Sequence, residues 1–111
     1  NTRRRWAQTL SEEFQSGDCH AGSYETSIVL HADPTNVRED KREELAPVSI
    51  DLMDKMRDGV KTFVDAGAER AYCGDPAGAS AEEGAEQIEL LAEMVVATVR
   101  ETWPELVGEN A

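Results

Sequence analysis

The sequence predicts a mixed α/β fold, and three observations carry that expectation. Apolar residues recur at helical spacing in residues 5–14, 48–58 and 81–103, as on the buried face of an amphipathic helix. Two short runs, 61–65 and 70–73, flank the tight-turn pair Ala66-Gly67 and read as strands. Proline and glycine punctuate the chain at Asp33-Pro34, Gly59 and Pro104, keeping most elements short.

Trp6, Leu10 and Phe14 lie four apart and mark one apolar face of a first short helix, which Ser16 and Gly17 then break. Residues 21–32 admit two readings. Thr26, Ser27, Ile28 and Val29 favour a strand, whereas the lack of strict alternation and the Asp33-Pro34 stop favour a helix. The helical reading puts Gly22, Glu25 and Val29 on one face and points Glu25 back at the turn that holds His20. Residues 34–47 are polar and charged and read as a solvated loop or helix end. Val48, Leu52 and Met56 repeat every four positions up to Gly59, a short helix with a glycine stop.

After the two expected strands, GDPAGAS (residues 74–80) forms a loop shaped by its glycines and proline. Ser80 and Glu83 make a capping box, and Glu82, Glu83 and Glu86 complement the positive end of the helix that follows. That helix runs to about Trp103, where Pro104 stops it. Ile88, Leu91, Val95 and Val99 are its central stripe, widened by Leu90, Met94 and Val96, and all are expected in a core covered on more than one side.

The chain has 111 residues, enough for one domain or less, and residues 1–111 are read as a single unit. Eleven basic against 23 acidic residues give a net charge of −12, which disfavours nucleic acid and anionic membranes as partners. No apolar run is long enough to span a bilayer, and no apolar leader precedes the first helix. Cys19 and Cys73 are isolated and outside any CxxC pair, so they read as free thiols in a reducing cytoplasm. The start at Asn1-Thr2-Arg3 looks interrupted, as in a processed precursor, a split subunit or a trimmed chain. A half-sheet with one wide apolar helix is badly placed to offset about 1–2 kcal/mol of backbone entropy per residue, so a partner is expected.

The stretch SGDCHAGSYETS, residues 16–27, crowds Asp18, Cys19, His20 and Glu25 around two glycines. Asp18, His20 and Glu25 are hard or borderline ligand types suited to zinc or manganese, but their spacing is no specific zinc pattern. Turn and cap hydrogen bonding explains the same residues, with Asp18, Ser23 and Thr26 bonding to nearby backbone.

Asp18-Cys19-His20-Ala21-Gly22-Ser23-Tyr24-Glu25-Thr26-Ser27 resembles the D-x-H-A-G-x-x-E-T-S signature of the creatininase (creatinine amidohydrolase) family. Asp33 to Val37 resembles the x-P-x-x-V that follows it there. Gly74-Asp75-Pro76 through Ala79 to Gly84 is similar to the family's G-D-P-x-x-A-T-A-E-x-G. The resemblance implies the C-terminal half of a three-layer α/β domain with a mainly parallel sheet, of a kind that assembles into hexamers. The family's E-Q-H-G and N-G-H-G-G-N motifs do not occur in these residues. The implied unit is therefore completed by a separate polypeptide carrying the N-terminal half.

The activity so implied is metal-dependent hydrolysis of a C–N bond in a small cyclic or linear amide. Two divalent ions per site are expected, zinc first, with manganese or iron as alternatives. By the same resemblance Glu25 is a metal ligand, His20 a catalytic proton carrier and Asp18 a catalytic residue that steers or polarises it. Histidine suits that role because its side-chain type exchanges a proton near neutrality. The rival expectation is a non-catalytic acidic interaction subunit that binds a partner through the apolar face of residues 81–103.

Overall fold

In the computed structural model, residues 6–16 and 20–108 are described. Their helices are α1 (Glu12–Ser16), α2 (Ser23–Ala32), α3 (Glu39–Arg42), α4 (Leu52–Arg57), α5 (Phe63–Ala66), α6 (Ala81–Thr102) and α7 (Pro104–Val107). Short 3-10 turns lie at Ala7–Thr9, Pro34–Asn36 and Pro76–Gly78.

Among the described residues there is no strand, which overturns the expected α/β domain and its parallel sheet. Capping chemistry explains the first failure. Thr62 accepts the Asp65 N–H on its hydroxyl at 3.0 Å, committing Phe63 onward to a helical turn, and Gly67 closes it at φ 98°. The second run fails because Ala71, at φ 63°, leaves the extended region before pairing can start. What survives is two single antiparallel bridges, His20 with Cys73 and Val48 with Gly74. The Cys73 N–H donates to the His20 carbonyl at 2.9 Å and the Val48 N–H to the Gly74 carbonyl at 2.9 Å. Both partner segments enter helices within a few residues, so neither bridge grows into a ladder.

Residues 5–14 do not make the one helix expected. A 3-10 turn comes first, and α1 starts afresh after Ser11, whose hydroxyl accepts the Phe14 N–H at 3.3 Å. The apolar face still finds a core: Leu10 is buried, and the Phe14 ring meets Tyr24 with centroids 5.0 Å apart. The ambiguous segment is helix α2, ended before Pro34. Asp51 caps α4 by accepting the Asp54 N–H at 3.0 Å, so that helix begins at Leu52 rather than Val48.

Helix α6 begins as its start signal predicts, with the Glu83 N–H donating to the Ser80 hydroxyl at 3.1 Å. The return half of the box is replaced by a tertiary bond: the Ser80 N–H donates to the Ser27 hydroxyl of α2 at 3.0 Å. Ser27 is wholly buried and Gly84 lies against it. A Cβ on Gly84 would run into the Ser27 carbonyl and sit 2.9 Å from the His31 Cβ. Only glycine lets the two backbones approach this closely.

The wide apolar stripe of α6 is not the two-sided core expected. Ile88, Val95 and Val96 are 37%, 64% and 44% exposed, because α2 covers only the N-terminal part of one side, around Gly84 and Gln87. The Cα radius of gyration, 16.4 Å, exceeds the roughly 13 Å of a compact chain of this length. No helix among the described residues is long and apolar enough to cross a membrane.

Candidate functional site

Glu13 joins the two sequence stretches that carry the candidate chemistry. Its carboxylate accepts the N–H groups of Ser23 at 2.9 Å and Tyr24 at 3.0 Å, capping α2 from outside the helix, and that of Asp75 at 2.7 Å. A Cβ on either Gly22 or Gly74 would overlap this carboxylate. The two glycines are thus the walls of a seat for Glu13, and the seat holds residues 20–25 beside residues 73–76.

Glu25 turns back along α2, as the helical reading predicts, and accepts the Ala21 N–H. Ala21 has φ 52°, a left-handed conformation costly for a residue with a Cβ, and Ala71 shares it at 63°. These two strained residues flank the His20–Cys73 bridge. Such strain persists only where surrounding contacts impose it, and it concentrates at functional sites.

Glu25, Ala21 and Ala71 line a cleft of about 470 Å³ together with Arg38, Lys41, Arg42 and Arg70. Glu25 is its sole acidic lining residue among those described, although the chain carries 23 acids. The Arg42 guanidinium pairs with Glu39 and donates to the carbonyls of Pro76 at 3.1 Å and Ala77 at 2.7 Å. Its hydrogen bond to Glu39 raises the Arg42 pKa above the ordinary value, against the opposing effect of burial.

His20 does not join Glu25 in this cleft. Its ring stacks on Phe63, with centroids 4.6 Å apart and an interplanar angle of 25°. Asp18 and Cys19 lie outside the described residues. Cys73 is wholly buried at the bridge.

Sequence reasoning missed Glu13 and the basic cleft. The spacing of Arg38, Lys41 and Arg42, i, i+3 and i+4, was a legible helical signal, masked by Glu39, Asp40, Glu43 and Glu44 in the same run. Nothing local marks Glu13 or Arg70, whose partners are remote in sequence. Among the described residues no three His, Cys, Asp or Glu side chains converge to hold a metal ion.

The family model Creatininase, described as creatinine amidohydrolase, matches residues 1–99. Neither a curated protein nor a solved structure matches the chain significantly.

Proposed function

Given that this chain belongs to the creatininase family, we propose that it takes part in hydrolysing a C–N bond of a cyclic or linear amide, at a site completed by polypeptide outside residues 1–111. The observation that carries the reading is local. The stretch bearing the family signature holds Ala21 in a strained conformation whose N–H orients the Glu25 carboxylate at a cleft.

Enzymes of this family are generally metal-dependent. The described residues do not form a metal centre by themselves. Glu25 fits the part of a single contributed ligand: one oxygen receives the Ala21 N–H and the other makes no hydrogen bond among the described residues. The remaining ligands for two divalent ions, zinc first with manganese or iron as alternatives, are assigned to the companion polypeptide. Such a pair, when bound, activates a water and polarises a carbonyl. His20 is assigned the proton that the departing nitrogen needs, its ring held against Phe63 and its carbonyl fixed by Cys73. Asp18, two residues earlier, is proposed to steer it.

The test is turnover of creatinine and simple cyclic amides by the assembled complex, with elemental analysis. Glu25→Gln is expected to lower metal content and abolish turnover while the complex still assembles. His20→Ala is expected to cut turnover about 10²- to 10⁴-fold with metal retained. Normal turnover in both variants removes the assignment. A second reading, the acidic interaction subunit, draws on the exposure of Ile88, Val95 and Val96. It predicts an assembled complex without transition metal, which the same elemental analysis detects.

A further inference from the structure

A second concavity, of about 500 Å³, gathers carboxylates from three parts of the chain. Glu12 and Glu13 come from α1, Asp75 from the loop before α6, and Glu83 and Glu86 from the first turns of α6. No lysine, arginine or histidine is among its described lining residues. Arg42, which donates to the carbonyls of Pro76 and Ala77 next to Asp75, is engaged by Glu39 and Glu43 instead. Compensation within the molecule is partial. Glu13 accepts the N–H groups of Ser23, Tyr24 and Asp75, and Asp75 accepts that of Gly78 at 3.3 Å. The N-termini of α2 and α6 together offset about one of the five charges. Glu12, Glu83 and Glu86 make no ion pair or side-chain hydrogen bond among the described residues.

Acids alone would be a solvated face of an acidic chain. Gln87 is the independent observation. Positions 83, 86 and 87 share one face of α6, so Gln87 lines the same concavity. It is only 5% exposed, and its Oε1 is buried without a hydrogen-bond partner among the described residues. A buried acceptor is normally paired. The terminal torsion of glutamine is broad, so this amide can turn its oxygen to a donor in the cavity it lines. Carboxylates and an unpaired amide oxygen are complementary to a ligand that carries positive charge and N–H donors. That charge must be spread out. Among the described residues no three His, Cys, Asp or Glu side chains converge to hold a metal ion, so a point cation cannot engage these carboxylates together. Ammonium groups spaced along a flexible methylene chain can, and the volume suits a molecule of that size.

We propose that this concavity is a binding site for a linear polyamine, whose ammonium groups pair with Glu12, Glu83 and Glu86 and donate to the Gln87 carbonyl oxygen. The inference does not rest on the hydrolase reading, since Glu25 lines a different cleft.

The test is titration of 1,4-diaminobutane and spermidine into the full isotope-labelled chain, followed by NMR at constant ionic strength. Saturable shifts are expected at Glu12, Ser23, Glu86 and the Gln87 side-chain amide. The diamine is expected to bind about tenfold more tightly than either butylamine or magnesium, and spermidine more tightly again. The double variant Glu12→Gln, Glu86→Gln is expected to lose about tenfold in spermidine affinity while keeping its circular dichroism spectrum, since both side chains are exposed. Gln87→Met keeps the side chain's length and removes its acceptor. It is expected to weaken spermidine binding about threefold with no loss of thermal stability, a split that a purely structural glutamine would not give. Magnesium binding as tightly as the diamine, shifts scattered over the acidic surface, or unchanged affinity in the double variant would each overturn the site. A trilysine peptide binding as tightly as spermidine would assign the concavity to a basic polypeptide segment and overturn the small-ligand reading.

Discussion

The α2–α6 crossing and the cleft arm formed by residues 20–25, 38–42 and 70–76 are held together by opposite means. At the crossing, backbone meets backbone: Ser27 is wholly buried, Gly84 admits no Cβ, and one hydroxyl spans the two helices. In the arm, two single bridges, the Glu13 carboxylate and the Arg42 guanidinium bind loops on which Glu25, Arg38, Lys41 and Arg70 remain open to water. The difference separates a scaffold set by steric fit from a site set by polar contacts. Close packing leaves no room for alternative charges, whereas a polar arm can present cations that the fold itself does not consume.

The contrast can be broken first at its tightest point. Gly84→Val places a side chain where the Ser27 carbonyl lies, and is expected to cost at least about 3 kcal/mol, read as a lowered urea midpoint. A variant melting with the parent would show that the crossing yields freely. Ser27→Ala removes the acceptor of the Ser80 N–H and is expected to cost about 1–3 kcal/mol, since a partly buried donor is left unpaired.

Two further changes sharpen the polar side of the comparison. Arg42→Lys keeps the charge but loses the fork on Glu39, Pro76 and Ala77, and is expected to cost about 1–2 kcal/mol and to speed amide exchange in residues 76–79. The raised pKa of Arg42 means that its contribution is present wherever the guanidinium is charged and is lost only as alkali removes the proton. The stability gap between parent and variant is therefore expected to be flat from about pH 5 to 9. The smallest effect is expected at Ala71→Gly, which relieves a left-handed backbone and should stabilise the chain by about 0.5–1 kcal/mol. Destabilisation there would mean that the Ala71 methyl, not its backbone, matters.

Signals confined to one turn were legible. The Ser80 cap, the Pro104 stop, the end of α2 before Pro34 and the backward reach of Glu25 all follow from residues within four positions. The strand assignments failed because β-type composition in residues 61–65 and 70–73 does not outweigh a Thr62 cap and a left-handed Ala71. The stripe of α6 was legible as apolar but not as half-uncovered, since amphipathicity states which face prefers burial and not what covers it.

By itself, then, the sequence determined the family, the helix termini and the position of Glu25 relative to its own turn, because each depends on side chains and backbone a few residues apart. Tertiary structure alone decided that Glu13 seats residues 20–25 beside 73–76, that His20 turns to Phe63, and that Arg70 joins Arg38 and Lys41. These contacts join segments tens of residues apart. Their geometry is set by the Gly84–Ser27 approach and the glycine walls around one carboxylate, which no local propensity encodes.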